Sequence, residues 1–266
     1  MCGLGCTYFG VNLQRKKCRV YGGCHSTNST VAEVGWRYYN PDSEVLENFR
    51  PKDCKSLLAV GFTASCIYTI YPWYNNPVEV FCDMDTKDGG WTAIQRRVNG
   101  SIDFDRFWNE YKEGFGSAYS SYWIGNDVIH QLTMNRPSLY VSITLTNGTT
   151  LYQQYKEFSV SSETDNYRLY LAGPTEGTLG DSMLDTGYPN YDDLSGMYFS
   201  THDRDNDRWI YNCADFYNRK GGWWFNGCHR AFLNGRWSLE YWVWPWYPTL
   251  TDGREIKETV MMIKTL

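Results

Sequence analysis

No stretch of the 266-residue chain approaches the roughly 18 consecutive apolar residues of a membrane-spanning helix. The most apolar-looking run, Tyr241-Trp-Val-Trp-Pro-Trp-Tyr247, is short, aromatic and interrupted by Pro245, so no span is predicted. A secretory leader is also missing: Met1 is followed at once by Cys2 and Gly3, which is expected of a trimmed start or a fragment. Basic charge is scarce. Twenty-five Lys and Arg face 30 Asp and Glu, giving net −5 and a pI near 5.4. That argues against a nucleic-acid surface, which needs clustered cations. The sequence holds no G-x-S-x-G, H-E-x-x-H, G-x-x-x-x-G-K-[ST] or G-x-G-x-x-G; Gly3-Leu-Gly5 and Gly114-Phe-Gly116 lack the third glycine. No enzyme is expected. A glycosidase pair among the acidic residues is the remaining hydrolase option, and nothing points to one. Internal repeats, heptads, collagen-like segments and low-complexity tracts are absent too.

What is present describes a globular extracellular chain. Hydrophobic residues make up 42% and charged ones 21%, too apolar for disorder. A chain of this length buries roughly 70–75% of its unfolded surface in one large domain with at most a small appendage. Nine cysteines (2, 6, 18, 24, 54, 66, 82, 213 and 228) are spread widely and never form the C-x-x-C pairs of zinc or thioredoxin-like sites. Disulfides are the better reading. Three sequons, at Asn28, Asn99 and Asn147, agree with a secreted glycoprotein. The odd cysteine implies an intermolecular bridge, a free thiol or a partner lost by truncation.

Along the chain, residues 1–30 carry four cysteines and little apolar periodicity. Residues 31–50 read as a linker or docking strand, and the main domain runs from 51 to 266. Strands are predicted at Cys66–Tyr71, Val78–Cys82, Trp91–Gln95, Leu139–Leu145, Leu151–Phe158, Tyr167–Leu171 and Val260–Ile263. One helix is predicted with Asp103 as its cap, Phe104, Phe107, Trp108 and Tyr111 as a core stripe, and Gly114 as its stop. Another starts at Asn126 with Val128, Ile129 and Leu132 inward. From Leu171 to Gly235, Gly, Pro, Asp and Asn punctuate nearly everything. A long irregular stretch of this kind usually carries function or an ion.

Within that stretch Asp203-Arg-Asp-Asn-Asp207 alternates acidic residues, placing hard oxygens within reach of one point as Ca²⁺ requires. It is not an EF-hand: counting from Asp203, position 6 is Arg208 and position 12 is Ala214. A solvated charge run compensated by Arg204 and Arg208 is the alternative. Cys213 and Cys228 enclose Gly221-Gly-Trp-Trp-Phe225 and precede His229. Bridged, they would gather aromatic faces, a histidine and backbone amides into a concave ligand site. Alternatively the tryptophans and His229 are core.

These residues resemble the fibrinogen-related domain shared by fibrinogen chains, ficolins, tachylectins, tenascins and angiopoietins. The stretches that carry the resemblance include Val80-Phe-Cys-Asp-Met-Asp85, Gly89-Gly-Trp-Thr92, Trp123-Ile-Gly-Asn-Asp127, Asp203-Arg-Asp-Asn-Asp207, Asn212-Cys-Ala214, Gly222-Trp-Trp224, Cys228-His229 and Leu233-Asn-Gly235. They follow family order over about 51–266. Residues 2–24 look like the tail of a PAN/apple-type module.

The resemblance implies an α+β fold, mainly antiparallel sheets with short helices and a loop-rich ligand-binding part. It implies disulfides Cys54–Cys82 and Cys213–Cys228, and Ca²⁺ held by the Asp205 and Asp207 carboxylates with the Trp209 and Tyr211 carbonyls. It further implies an acetyl-accepting pocket from Tyr217, Gly227, Cys228 and His229, with a cis peptide before Cys228. Two departures stand out. Cys66 adds a thiol that could reach an amino-terminal cysteine, and the aromatic stretch from Arg236 to Trp246 replaces a usual pocket wall. The expectation is a secreted, calcium-binding lectin of innate recognition for acetylated glycans or other acetylated ligands, with a second copy of the chain, as a homo-oligomer, among its candidate partners. Its alternative is a protein-binding adhesion, matrix or receptor-ligand module.

Overall fold

The computed structural model describes residues 7–12, 17–22, 36–39, 50–73, 76–184, 193–216, 220–237 and 243–265, with backbone alone for the strands before residue 40 and for 243–244. The chain forms two compact units, residues 1–91 and 92–266.

In the first unit, β1 (Thr7–Asn12), β2 (Lys17–Gly22) and β3 (Trp36–Tyr39) make an antiparallel sheet in the order β2-β1-β3. The 31–50 segment therefore contains a strand that pairs within this sheet. Helix α1 (Cys54–Ala59) follows, capped by Asp53, whose Oδ1 accepts from the Ser56 amide at 2.8 Å and its hydroxyl at 2.7 Å. Six residues are too few to display a helical period, so the Asp53 cap is the signal of this helix in the sequence. Strands β4 (Cys66–Trp73) and β5 (Asn76–Asp83) pair antiparallel with Cys66 opposite Cys82. The expected Cys54–Cys82 disulfide is formed, with Cα atoms 5.5 Å apart, tying α1 to β5. Cys66 is disulfide-bonded as well.

The second unit contains all but the first residue of β6 (Trp91–Arg97), then α2 (Trp108–Glu113), β7 (Phe115–Gly116), β8 (Tyr122–Trp123), α3 (Asn126–Thr133), β9 (Ser138–Leu145), β10 (Thr150–Val160) and β11 (Leu169–Gly177). After these come β12 (Phe199–Ser200), β13 (Trp223–Trp224), β14 (Val243–Trp246), β15 (Leu250–Asp252) and β16 (Ile256–Lys264). Its main sheet is antiparallel in the order β11-β10-β9-β16-β6. The apolar run near the chain end thus becomes an interior strand, with Met261, Met262 and Ile263 buried. Helix α3 buries Val128, Ile129 and Leu132, as the sequence pattern requires.

Helix α2 is shorter than predicted and starts at Trp108, not next to Asp103. Asp103 instead accepts from the Asp105 amide at 3.0 Å. The helix start is satisfied from far away in sequence: Asp203 Oδ1 accepts from the Trp108 amide at 2.9 Å, and Glu110 Oε2 takes the Phe107 amide at 2.9 Å. Phe107 leaves the supposed core stripe and is 56% exposed, because an extended Phe107 turns its ring toward His202, 4.7 Å away. The other three members are buried. Tyr111 joins Trp123, Phe199 and Trp224 in an aromatic cluster with ring centroids 5.1–6.1 Å apart. Gly114 ends α2 at φ 97°, where a Cβ would lie 2.6 Å from the Ile124 carbonyl oxygen.

Candidate functional site

Beyond β11 regular structure thins to the two-residue strands β12 and β13, and loops must be held by side chains. The acidic run begins with anchors. Asp203, besides capping α2, accepts the Thr201 hydroxyl at 2.6 Å. The Arg204 guanidinium lies 3.9 Å over the Trp108 ring and donates to Asn166 Oδ1 at 2.6 Å. Glu163 lies 3.8 Å from that guanidinium, accepts the Trp108 indole N–H at 2.8 Å and pairs with Lys112. Asp203 and Arg204 are therefore committed to holding the loop, which the solvated-run reading did not anticipate.

Asp205 and Asp207 are placed differently. Asp205 is exposed, and its Oδ1 accepts the Asp207 amide at 3.2 Å. Asp207 is partly buried and receives the Trp209 amide on one oxygen and the Cys213 amide on the other, both at 2.8 Å. Burial pushes its carboxyl up to about 6; the two amides oppose this, and the neighbouring Asp205 carboxylate adds to it. A cation between the two carboxylates would remove that penalty. Among the described residues, the Trp209 and Tyr211 carbonyls accept no backbone hydrogen bond and remain available as ligands. The donor set of two carboxylates and two carbonyls is all hard oxygen and fits Ca²⁺ completed by water. Among the described residues no group of three or more His, Cys, Asp and Glu is arranged around a metal position.

The loop closes on the Cys213–Cys228 disulfide, with Cα atoms 5.4 Å apart, as the resemblance implied. The expected cis peptide before Cys228 is absent: among the described residues the cis bond is Tyr247–Pro248. Instead the turn is closed by the Asn226 amide donating to the Cys228 carbonyl at 2.9 Å, with Cys228 itself at φ 151°. Gly227 is partly exposed, but Cys228 and His229 are buried, His229 to 3% exposure with its ring 4.8 Å from Phe232 and 5.8 Å from Phe225. A ligand reaching that imidazole would have to part the aromatic packing. Tyr217 lies outside the described residues. From the aromatic stretch after Gly235, Trp246 is fully buried and donates to the Gly180 carbonyl at 2.8 Å, so it fills space and makes no sugar-stacking wall.

The sequence reading missed an exposed apolar rim on this loop. Ile210 is 82% and Tyr211 59% exposed. Behind them Trp209 packs edge-on to Phe216 at 4.3 Å and to Tyr211 at 5.2 Å. The only available signal was an isoleucine and three aromatics in an otherwise polar loop. Of the sequons, Asn99 and Asn147 are exposed, each side-chain oxygen taking the backbone N–H two residues on. Asn28 lies outside the described residues.

A family model described as "Fibrinogen beta and gamma chains, C-terminal globular domain" matches residues 50–265. The chain belongs to this family. The match does not extend to residues 2–24, and the PAN/apple-like resemblance there is not supported. Angiopoietin-2 of Rattus norvegicus is 39% identical over 221 residues, covering 80% of this chain and 42% of the relative. Angiopoietin-1 of Mus musculus is 40% identical over 229 residues, covering 84% and 43%. The chain thus spans less than half the length of these curated relatives. Among solved structures, the fibrinogen-like globe domain of human ANGPTL2 superposes with a TM-score of 0.72 at 35% identity, covering 81% of this chain and 99% of that one. Lamprey fibrin D-dimer, complexed with the peptide Gly-His-Arg-Pro-amide, gives 0.72 at 31% identity, covering 82% and 74%. The fibrinogen-like fold, α+β with mostly antiparallel sheet, is thereby established. No helix among the described residues is long and apolar enough to cross a membrane.

Proposed function

We propose that this fibrinogen-related domain is a secreted, non-enzymatic recognition module that binds a protein partner, such as a receptor or matrix component, through the rim of its 203–213 loop. The observation that carries this reading is the exposure of Ile210 and Tyr211 on an aromatic base beside an anchored acidic loop. Large exposed apolar residues grouped on a rigid support suit a protein interface. The matched relatives, angiopoietins and angiopoietin-like globes, support this alternative over a lectin. The burial of His229 weakens an acetyl pocket at that position.

In this reading Asp205 and Asp207, with the carbonyls of Trp209 and Tyr211, hold Ca²⁺. Bound there, the ion would supply positive charge to these ligands, and the loop that displays Ile210 and Tyr211 would be stiffened by them. The disulfides and the exposed sequons at Asn99 and Asn147 suit an extracellular setting.

The test is binding of the labelled domain to cultured cells pretreated with protease or with glycosidases, in calcium or in EDTA. Protease should abolish binding, glycosidases and free N-acetylated sugars should not, and the Ile210→Ser/Tyr211→Ser variant should fail to bind. Calcium-dependent retention on N-acetylated resin, unchanged in that variant, would overturn the proposal in favour of the lectin.

A further inference from the structure

Helix α3 ends beside β10 and β11, and there the surface opens into a groove of about 640 Å³, lined among others by His130, Met134, Arg136, Ser159, Arg168 and Tyr170. The volume falls in the range of small-ligand sites. Two guanidiniums face it, each laid on an aromatic ring: Arg136 lies 4.1 Å over Tyr170 and Arg168 4.7 Å over Tyr198. A guanidinium supported on its face still has N–H groups beyond those its neighbours occupy to offer an anion. Arg136 also stands at φ 49°, immediately before Pro137, a backbone position that glycine would fill with less strain. The chain places a long cation there.

Each arginine has an acidic neighbour, Glu157 at 3.5 Å from Arg136 and Asp165, itself in the groove lining, at 2.9 Å from Arg168, whose Nη2 also donates to the Tyr198 hydroxyl at 2.6 Å. Both pairs are open to water, where such pairs are weak, so a ligand anion can take over one edge of each guanidinium. His130 Nδ1 is occupied by the Val160 carbonyl at 2.8 Å, leaving Nε2 as the ring atom available to a ligand hydroxyl. The Ser159 hydroxyl adds a polar contact, the Tyr170 ring, 37% exposed with one face under Arg136, adds its remaining aromatic surface, and Met134, 65% exposed, adds an apolar edge.

We propose that this groove binds an anionic saccharide, sulfated or uronate-bearing, with Arg136 and Arg168 on its acidic groups and Tyr170 against a sugar face. Two separated cations, hydroxyl-directed polar atoms and an aromatic face suit alternating acid and ring better than a small inorganic anion. The site uses none of the residues of the 203–213 loop and stands whether or not that loop binds protein.

The test is calorimetric titration of the intact chain with a heparin hexasaccharide, its desulfated form, a hyaluronan hexasaccharide and a glutamate-rich peptide. Arg136→Gln/Arg168→Gln is compared with Arg254→Gln/Lys257→Gln, which removes the same charge from exposed positions elsewhere. Saccharide binding should fall about tenfold or more in the first variant and stay within about twofold in the second. The desulfated and hyaluronan arms tell whether sulfate or carboxylate is read. No saccharide binding by the wild type, equal loss in both variants, or binding of the acidic peptide alone would each overturn the proposal. Circular dichroism of both variants separates loss of binding from loss of fold.

Discussion

Replacing Arg97 with methionine should destabilise the second unit by about 3 kcal/mol, a figure that follows from what the guanidinium holds. Arg97 is on β6, 1% exposed, and its Nη1 donates to the Leu233 carbonyl at 2.8 Å and the Gly235 carbonyl at 2.6 Å. Its plane lies 4.2 Å from the Phe104 ring and 5.0 Å from Trp237. Methionine refills most of the volume and leaves the carbonyls without their cation. The Leu233 oxygen keeps a weaker donor, Gln95 Nε2 at 3.4 Å. A buried carbonyl stripped of its partner costs about 1–3 kcal/mol, and each stacked ring adds about 0.5–1 kcal/mol more. Against this stands relief of a buried charge: burial lowers the guanidinium pKa to about 9, with Tyr111 and Asp103 opposing the shift. The group remains protonated at neutral pH, so the relief is partial.

For a unit of this size about 3 kcal/mol corresponds to a fall in Tm of roughly 6–12 °C, readable by calorimetry with disulfides intact. An Arg97→Met variant that melts within a degree of wild type, or above it, would refute the reasoning. It would mean that the charge, like some buried ion pairs, is replaceable by a well-packed apolar side chain.

Three further outcomes follow from the same geometry. In Gly222→Ala the new Cβ would sit 2.7 Å from both the Phe199 and Tyr111 rings, which cannot retreat inside their cluster, and melting should show a loss of about 1–3 kcal/mol with altered near-ultraviolet dichroism. Changing Cys213 and Cys228 together to serine opens a loop of 15-residue separation and should cost about 3 kcal/mol by denaturant titration, with the loop becoming protease-sensitive. In calcium-free protein Asp207 holds its proton to about pH 6, above the unfolded carboxylate. Its contribution to stability is therefore full at low pH and is lost as pH rises through about 6, by about 1 kcal/mol after allowance for partial exposure. A carboxyl carbon titration by NMR with a midpoint below 4 would contradict this, and calcium should displace the proton and lower the midpoint.

The sequence revealed the sheet because most of its strands are longer than six residues and rich in β-branched and aromatic side chains. It also revealed α3, whose apolar positions fall on one face. It misplaced the start of α2 because the cap, Asp203, comes from 95 residues away, while the nearby Asp103 satisfies the same local pattern without capping the helix. The acidic run was ambiguous for a related reason. Asp203, Asp205 and Asp207 look alike in sequence, yet one caps a helix, one is exposed and one is desolvated, and only packing distinguishes them. Spacing also could not show that His229 is enclosed by Phe225 and Phe232, or that the exposed apolar side chains belong to Ile210 and Tyr211.

That division explains how a loop with little regular structure can hold out the exposed rim proposed to meet a partner. Its entry is fixed by Asp203 on the α2 amide and Arg204 on the Trp108 ring, and its exit by the Cys213–Cys228 disulfide. Between these anchors only the residues from Asp205 to Asn212 are left to order, and Asp207 already grips the amides of Trp209 and Cys213. Ordering a loop before binding reduces the entropy that the partner's contacts must offset. The anchors and the rim are therefore energetically linked. Arg204→Gln leaves Ile210 and Tyr211 in place but should weaken partner binding through a faster dissociation rate, with calcium affinity falling in parallel. Unchanged dissociation and unchanged calcium affinity in that variant would show the loop to be ordered without the Arg204 anchor, by Asp203, Asp207 and the disulfide.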